Sequence, residues 1–521
     1  MARTKIVCTI GPSCQEEEML RQLMLSGMDV ARLNFSHGSH EVHGQWVERL
    51  KKVAASLGHP LCILQDLSGP KVRIGTFEGG QVFLKPGQEF ILTTDNVIGN
   101  ENRVQVAFEG LVGLAQGATR ALLADGLIEL KVKEIRGREV VTEVSVGGWL
   151  SDRKGISFPG RSLPLDALTE KDLRDLKVGL DLDVDYVALS FVRSHMDVLK
   201  LRSLICDHGS RAKVVAKLER PEALEDLEAI LDASDAVMVA RGDLGIELEP
   251  EKVPLVQKRI IREAQRRDVF VITATQMLES MVHNPWPTRA EASDVANAVL
   301  DGTDAVMLSG ETATGKYPVR AVEMMERIIR QTESDGLFKT SRQNERSIHR
   351  GSFAGAIAWA AAETAEITGA KAICAFTQSG ATARLISKMH PQVAVIGLCP
   401  DEKVLRQLNL AWGVTPLKVD YVDNTDDMIQ EVERAILEKN RDPLGAHVVL
   451  VAGLPLGKPG STNLMKVHRI GEIGENREAA QELIAISPER FFLSGFALPH
   501  RKYRRFTCRI ISRLFELPGP I

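Results

Sequence analysis

A lysine and a glutamate two residues apart close a strongly apolar stretch of this sequence. The apolar residues 214–216 lead into Lys217, and Glu219 follows after one leucine. Such a run is typical of a parallel strand buried on both faces, in which residues two apart point to the same side. Burying an ammonium and a carboxylate is costly unless each has a partner, so we expect a metal cation beside Glu219 and an anion beside Lys217. A structural ion pair is the alternative, and these two residues alone support both interpretations equally.

Charged or hydroxyl residues also follow most of the other apolar runs in the N-terminal part of the chain. They are Arg32 and Asn34, Asp66 with Arg73 beyond it, Arg241 and Asp243, Thr275, and Ser309 with Glu311. Any single member could be a salt-bridge residue, and in isolation this interpretation is favoured for Asp66 and Glu311. Together with Lys217 and Glu219, the set ends six of the eight strands predicted below, which favours one shared site.

The residue types in this set predict the kind of ligand. Two carboxylates, Glu219 and Asp243, with no histidine nearby in sequence, suit a hard cation that prefers oxygen, Mg2+ or Mn2+. Several cations around such a metal suit a phosphoryl group, and the candidates are Lys217, Arg32, Arg73 and Arg241. Phosphoryl transfer requires mainly positioning and charge neutralisation. The glycines of segment 241–245 could also free backbone amides to hold a substrate carboxylate.

Eight apolar, strand-like runs must position these residues. They cover residues 5–10, 29–35, 61–67, 186–191, 213–218, 236–240, 269–274 and 305–308. Amphipathic segments with apolar residues at three- and four-residue steps lie between most of them and are typical of helices. Eight strand-then-helix units predict a TIM barrel built from residues 1–69 and 168–340, close to the size of about 250 residues typical of that fold. The active site of such a barrel lies at the carboxyl ends of its strands.

The segment 70–167 interrupts this pattern after the third strand. Its short alternating runs are separated by Gly, Pro, Asn and Asp, which is typical of a small β-barrel or sandwich. We interpret it as an inserted β-barrel lid domain that could close over a ligand at the mouth of the TIM barrel.

Residues 346–475 return to alternating helices and buried strands, and they predict a separate, doubly wound α/β domain. Thr377, Ser379, Gly380 and Thr382 lie in a strand-to-helix turn, where backbone amides and hydroxyls can hold a phosphate. Many such turns bind nothing, but a second glycine-rich loop at 453–463 favours an effector pocket. The basic, partly amphipathic segment 476–521 is assigned no function, and we expect a solvated tail.

The length and composition of the chain limit the classes of protein to which it can belong. Its 521 residues, 44% of them hydrophobic, are enough for two to four domains. A formal net charge of -4 argues against nucleic acid as the main partner. The sequence shows no secretory segment and no long uncharged apolar run, so we expect a cytoplasmic protein without a membrane partner. The seven scattered cysteines are never spaced C-x-x-C, which indicates reduced thiols and no zinc site.

Several long stretches resemble the pyruvate kinase family in sequence and in order. They are residues 31–38 (ARLNFSHG), 66–73 (DLSGPKVR), the strand with Lys217 and Glu219, 238–245 (MVARGDLG), 274–280 (ATQMLES) and 287–311. The resemblance extends from residue 1 to about residue 475. It implies an enzyme of the last step of glycolysis that transfers the phosphoryl group of phosphoenolpyruvate to ADP, giving pyruvate and ATP. It also implies a homotetramer.

The resemblance implies roles for individual residues. Lys217 would neutralise the phosphoryl group in transfer, while Glu219 and Asp243 would hold Mg2+. Arg32 and Arg73 would contact phosphate oxygens. The amides of Arg241, Gly242 and Asp243 and the Thr275 hydroxyl would contact the substrate carboxylate. Nucleotide phosphate would be contacted by Asn34, His37, Arg73 and Lys154. Thr275, Ser309 and Glu311 lie where the family has its proton route, and the resemblance identifies no single donor among them.

One departure from the family concerns K+. Potassium-dependent members carry a glutamate at the position of Lys71 and a threonine at that of Leu67. The side chains that bind K+ in the family, Asn34, Ser36 and Asp66, are present, and Leu67 stands at a further ligand position. We expect the ammonium of Lys71 to replace the charge of K+, so that the enzyme needs Mg2+ or Mn2+ but no K+.

Two other functions stay open at this point. A Mg2+-dependent lyase barrel acting on an enolpyruvate-like intermediate would share the metal and the lysine, but it would need neither a lid nor ADP-binding residues. A non-catalytic metabolite sensor would have lost turnover and kept its effector domain. The expected partners are phosphoenolpyruvate, ADP or ATP, pyruvate, and a sugar-phosphate or nucleotide effector near residues 377–382.

Overall fold

The computed structural model describes residues 2–161, 165–338, 352–438, 445–456 and 461–471, and the predicted tail at 476–521 lies outside them. The chain opens with three parallel strands, β1 (Lys5–Thr9), β2 (Val30–Asn34) and β3 (Cys62–Asp66). Helices α1 (Glu17–Ser26) and α2 (His40–Leu57) connect them. Within the described ranges, no helix is long and apolar enough to cross a membrane.

The insertion after β3 is a β domain with its own apolar core. It contains a six-stranded mixed sheet and a two-stranded antiparallel sheet. Its elements are β4 (Gln81–Leu84), β5 (Glu89–Thr93), β6 (Arg103–Gln105), α3 (Leu111–Ala115), β7 (Arg120–Leu123), β8 (Ile128–Arg136), β9 (Glu139–Val146), β10 (Gly148–Ser151) and β11 (Ile156–Ser157). We call this domain the lid.

Five further parallel strands close the barrel in the order β1-β16-β15-β14-β13-β12-β3-β2. They are β12 (Tyr186–Leu189), β13 (Lys213–Leu218), β14 (Ala236–Ala240), β15 (Phe270–Ala274) and β16 (Ala305–Leu308). The accompanying helices are α4 (Glu170–Asp181), α5 (His195–Asp207), α6 (Pro221–Glu225), α7 (Leu227–Ala233), α8 (Arg241–Glu247), α9 (Val253–Arg266), α10 (Arg289–Asp301), α11 (Gly310–Ala313) and α12 (Pro318–Ser334). The predicted TIM barrel is therefore confirmed.

The alternation of side chains along strand β13 determines which of its residues face the barrel interior. Val215 packs in the barrel interior with Ile272, whereas Val214 and Ala216 belong to the core beneath the outer helices. Because successive side chains of a strand point to opposite faces, Lys217 continues the interior side of Val215. It stands near the carboxyl end of β13 with only 12% of its side chain exposed.

The C-terminal domain is an α/β unit with the sheet order β19-β18-β17-β20-β21. Its strands are β17 (Ala372–Phe376), β18 (Ala394–Cys399), β19 (Val414–Lys418), β20 (His447–Gly453) and β21 (Thr462–Arg469), of which the last is antiparallel to β20. Its helices are α13 (Phe353–Thr368), α14 (Ala381–Lys388), α15 (Glu402–Leu408) and α16 (Thr425–Glu438). The strand order reverses at β17, as it does in doubly wound folds.

The C-terminal domain packs against the amino ends of the barrel strands. Lys388, at the end of α14, donates to the carbonyl of Val269 at 2.6 Å and pairs with Asp304 at 2.6 Å. Val269 and Asp304 directly precede β15 and β16. The Lys388 and Asp304 side chains are almost completely buried. We call the end of the barrel formed by the carboxyl ends of the strands the rim. The contact with the C-terminal domain lies at the opposite end.

Candidate active site

The ammonium of Lys217 lies at the centre of a buried charge network at the rim. Its Nζ is 2.9 Å from Glu219 Oε1 and 3.2 Å from Asp66 Oδ1, and it donates to the Ser190 hydroxyl at 2.6 Å. Arg32 pairs with the other Asp66 oxygen at 2.7 Å. The side chains of Asp66 and Glu219 are each 1% exposed. Two cations and two carboxylates are thus fixed in one enclosed space.

Burial and neighbouring charge oppose each other in this network. Burial lowers the pKa of the Lys217 ammonium, but the Asp66 and Glu219 carboxylates outweigh it and hold the pKa above its ordinary value. Burial raises the pKa of Asp66, yet Lys217 and Arg32 keep it below its usual range. The pKa of Glu219 is raised, because burial outweighs the attraction of Lys217 and the negative charge of Asp243 raises the pKa further. Glu219 is therefore the carboxylate with the most to gain from another cation.

Glu219 and Asp243 are the two carboxylates that could hold a divalent cation. Asp243 lies in the first turn of α8, which starts directly after β14, and its side chain is 32% exposed. Within the parts of the chain that the structure describes, no cluster of three or more His, Cys, Asp or Glu side chains forms a fuller metal cage. The pair fits Mg2+, which usually takes one or two carboxylates and completes its shell with water and substrate oxygens.

Thr275 and the start of α8 form one side of the rim. The Gly242 amide donates to Thr275 Oγ1 at 2.8 Å, and Thr275 has a φ of 68°, a costly conformation for a β-branched residue. The guanidinium of Arg241 pairs with Asp294 at 2.7 Å and donates to the carbonyls of Ala274 and Thr275. These contacts occupy the Arg241 side chain, so it is not available to a phosphoryl group as the sequence had suggested. The backbone amide of Arg241 is therefore the group that could make the expected substrate contact.

Arg73 brings a cation from the lid segment to the rim. Its Nη1 donates to the Arg153 carbonyl at 3.1 Å. The pKa of His37 is lowered by burial and then by the charges of Arg73, Arg32 and Lys171, so these cations lie close enough to act on it. Cations that face one space raise the local concentration of a polyanion such as a nucleotide.

The residues expected at a K+ site are already engaged within the protein. Asn34 Oδ1 accepts from the Ser36 amide at 3.1 Å, and the Leu67 carbonyl accepts from the Ser190 hydroxyl at 2.7 Å. The Asp66 carboxylate is neutralised by the two cations of the network described above. The Asn34 side-chain oxygen, the Leu67 carbonyl and the Asp66 carboxylate therefore each have a protein partner.

Lys71 points from the start of the lid towards the barrel. Its Nζ is 3.2 Å from Asp125 Oδ1 in the lid and 3.5 Å from Asp243 Oδ1 in the barrel. The three residues line a small, open cavity between lid and barrel. Lys154, with an exposed side chain, lies where the lid returns to the barrel, and its carbonyl accepts from the Ile74 amide at 3.0 Å. Lys71 thus contacts an expected metal ligand instead of the side chains of the family's K+ site.

Glu311 is held entirely by backbone amides. Its two oxygens accept from Leu278 at 3.0 Å and from Ser309 at 2.7 Å, and the residue is 1% exposed. Burial raises its pKa. This geometry ties the turn after β16 to the segment that follows Thr275.

Two residues of the site carry no sequence signal of their own. Ser190, just after β12, joins Lys217 to the end of β3. Lys171, in α4, donates to the Phe35 carbonyl at 2.6 Å and so braces the end of β2. Serine and lysine are common everywhere in proteins, and the one available indication for Ser190 was its place after a predicted barrel strand.

The predicted effector turn follows β17, where the strand order of the C-terminal sheet reverses. The Gly380 amide donates to the Thr377 hydroxyl at 3.0 Å, and Gly380 has a φ of 84° at the start of α14. The hydroxyls of Thr382 and Thr462 share a hydrogen bond of 2.8 Å, whereas Ser379 is exposed. Open α/β sheets bind their ligands at such a reversal point. The turn lies at this reversal point of the C-terminal sheet.

A closed barrel with a lid, a rim of paired charges and a two-carboxylate cation site defines a TIM-barrel enzyme suited to phosphoryl groups. A family model described as "Pyruvate kinase, barrel domain" matches residues 1–322, and one described as "Pyruvate kinase, alpha/beta domain" matches residues 355–468. The chain belongs to the pyruvate kinase family, and it is a phosphotransferase. Members of this family typically use Mg2+ and form tetramers.

Individual relatives match this chain in sequence over nearly their whole length. A pyruvate kinase of Mycobacterium tuberculosis is 47% identical over 470 residues, which cover 90% of this chain and 99% of that protein. A pyruvate kinase of Corynebacterium glutamicum is 45% identical over 470 residues, covering 90% and 98%. The crystal structure of a pyruvate kinase from Cryptosporidium parvum has a TM-score of 0.84 and 36% identity, covering 90% of this chain and 96% of that one. The matching domain models end at residue 468, before the segment 476–521.

Removal of the Ser190 hydroxyl tests its place in the charge network. A hydrogen bond to a charged group is worth about 1.5–3 kcal/mol, so we expect Ser190→Ala to lower kcat by about ten-fold or more. The matched control is Ser203→Ala, which removes an exposed hydroxyl from α5. Steady-state kinetics check this, and equal rates for the two variants would exclude a functional part for Ser190.

Proposed function

We propose that this protein transfers the phosphoryl group of phosphoenolpyruvate to ADP and releases pyruvate and ATP. The main support is the buried ammonium of Lys217, held between Glu219 and Asp66 at the rim. A fixed cation in a water-poor site stabilises the charge of a transferring phosphoryl group without reorganising at the moment of reaction. The pyruvate kinase names of relatives at 45% and 47% identity support the same reaction.

Each side of the rim has one task in this proposal. Glu219 and Asp243 hold Mg2+ or Mn2+, which neutralises phosphoryl oxygens when it is bound. Arg32, oriented by its contact with Asp66, and Arg73 from the lid segment bind phosphate oxygens. Asn34, His37, Arg73 and Lys154 contact nucleotide phosphate, and the cations around His37 support this assignment.

The substrate carboxylate lies in this proposal against the start of α8. The amides of Arg241, Gly242 and Asp243 belong to its first turn, where a helix N-terminus favours an anion. The Gly242 amide donates to the Thr275 hydroxyl at 2.8 Å, and the substrate carboxylate would replace this bond. Protonation of the enolate carbon is assigned to the group of Thr275, Ser309 and Glu311, without a choice among them.

Replacement of the central lysine tests the proposed reaction. We expect Lys217→Met to reduce pyruvate formation from phosphoenolpyruvate, ADP and Mg2+ by at least about 100-fold, because the fixed positive charge is lost. Lys200→Met removes an exposed lysine that pairs with Asp166 on the surface and serves as the control. A coupled assay for pyruvate and a luciferase assay for ATP check this.

Three results of that experiment would contradict the proposal. Unchanged activity of Lys217→Met would remove the lysine from the mechanism. Pyruvate without stoichiometric ATP from the unaltered enzyme would favour the lyase. No turnover at all by the unaltered enzyme would favour the metabolite sensor.

The proposed independence from K+ is supported by the charges around Lys71 and Asp66. Lys71 supplies a protein cation 3.5 Å from Asp243, and Asp66 is balanced by Arg32 and Lys217. A site with these fixed positive charges has less need of a monovalent cation from solution.

Replacing the cation of the buffer tests this independence. We expect activity in tetramethylammonium chloride to change less than about two-fold when KCl is added at constant ionic strength, because the fixed ammonium is present in both buffers. Lys71→Glu, which restores the residue type of potassium-dependent relatives, is expected to require KCl. Many-fold activation of the unaltered enzyme by KCl would contradict the proposal.

A phosphorylated effector is proposed for the turn after β17, in agreement with the exposed Ser379 and the left-handed Gly380 at the sheet reversal. We expect a sugar phosphate or AMP to lower the half-saturating concentration of phosphoenolpyruvate. The variant Ser379→Asp should lose this response by charge repulsion, while Ser334→Asp, at the exposed end of α12, should keep it. Titrations of sugar phosphates and AMP at low phosphoenolpyruvate that change nothing would contradict the effector site.

We also propose a homotetramer and a cytoplasmic location. Helix α13 exposes Phe353, Ile367 and Trp359, which are 92%, 82% and 41% accessible, and β21 is an edge strand of its sheet. Such apolar surface beside a strand edge is typical of subunit interfaces. Sedimentation velocity should give a tetramer, and Ile367→Glu should produce smaller species whereas Leu25→Glu, exposed on α1, should not. A monomeric unaltered protein would contradict this proposal.

A further inference from the structure

The ammonium of Lys71 bridges two domains. Its Nζ lies 3.2 Å from the lid carboxylate of Asp125 and 3.5 Å from Asp243 of the barrel. Asp125 is 65% exposed and is absent from every role assigned above. Its carboxylate is close enough to Lys71 to fix the side chain on the lid side.

Gly155 shapes the path of the Lys71 side chain. A Cβ placed on Gly155 would stand 2.8 Å from Lys71 Cε, closer than real Cβ atoms approach. The amide of Ala124 also donates to the Gly155 carbonyl at 3.2 Å. Gly155, which leaves room for the Lys71 side chain, is therefore hydrogen-bonded to the loop that carries Asp125.

The loop that presents Asp125 has an unusual backbone. Ala124, Asp125 and Gly126 have φ values of 52°, 57° and 87°, so three residues in a row are left-handed. For residues other than glycine this conformation is costly and persists only where the surroundings enforce it. The loop connects β7 and β8 and lines the cavity between lid and barrel, together with Lys71 and Asp243.

The ammonium of Lys71 thus lies between one carboxylate of the lid and one of the barrel.

We propose that Asp125 is a positioning residue, which with the space left by Gly155 holds the ammonium of Lys71 beside Asp243. Because Asp125 and Gly155 belong to the lid, the cation reaches the rim only when the lid stands over the barrel. The functional part of this inference rests on the proposed independence from K+. Lid position and the supply of positive charge to the site are thereby coupled.

Chemical labelling of Lys71 tests its position without any turnover. Asp125→Asn removes one partner, which leaves the amine freer and more reactive, so its acylation rate at pH 8 should rise about two- to five-fold. The rate is measured by mass spectrometry relative to Lys85, an exposed lysine of the lid. Asp95→Asn is the matched control, because Asp95 is also a half-exposed lid carboxylate but pairs with Arg138 within the lid.

Kinetics in the same variants test the consequence for the reaction. In tetramethylammonium buffer, Asp125→Asn should lose about two- to five-fold in kcat, and KCl should restore it, whereas Asp95→Asn should behave like the unaltered enzyme. Gly155→Ala, whose methyl group would displace the lysine stem, should show the same demand for KCl. Thermal unfolding of all variants provides the check on folding.

The outcomes separate this inference from the function on which it rests. Equal labelling of Lys71 in Asp125→Asn and Asp95→Asn would overturn the positioning role. Faster labelling without any new response to KCl would overturn the coupling to the reaction. Strong activation of the unaltered enzyme by KCl would instead overturn the proposed K+ independence, while the labelling contrast would still decide whether Asp125 positions Lys71.

Discussion

The structure depends on a cluster of charges that the barrel holds out of water. Lys217, Arg32, Asp66 and Glu219 would each be costly to bury alone, and they are tolerated because every charge has an opposite partner within 3.2 Å. The same enclosure makes their effect on a ligand strong, since a low dielectric weakens screening. The balance is incomplete at Glu219, whose pKa is raised. In the proposed function, a divalent cation held by Glu219 and Asp243 would supply the missing positive charge.

The three domains divide the work around this cluster. The barrel fixes the charges through strand ends, whose backbone is immobilised by parallel pairing around a closed sheet. The lid adds Arg73 and Lys71 from segments that cross between domains. The C-terminal domain packs at the other end of the barrel through the buried Lys388 and Asp304 pair.

Sequence periodicity predicted most of the fold and the strand ends at which the candidate site residues lie. Eight apolar runs gave the barrel strands to within two residues at each end, because strands buried on both faces must be apolar throughout. The same rule placed Lys217 and Glu219 on one side. The sequence could not predict which residues contact each other across the barrel, because the period of a strand shows which way a side chain points but not which side chain it meets. Ser190 as a partner of Lys217 and Asp294 as the partner of Arg241 came only from tertiary packing.

In the proposed mechanism, Glu219 and Asp243 hold one divalent ion beside Lys217. Binding of Mn2+ followed by electron paramagnetic resonance tests it most directly, because free and bound ions are counted without catalysis. The account predicts one site per chain, with the dissociation constant raised at least about ten-fold, or about 1.4 kcal/mol, by Glu219→Gln and by Asp243→Asn. The exposed Glu225→Gln of α6 should bind as the unaltered protein does. Unchanged Mn2+ affinity in both site variants would contradict the account.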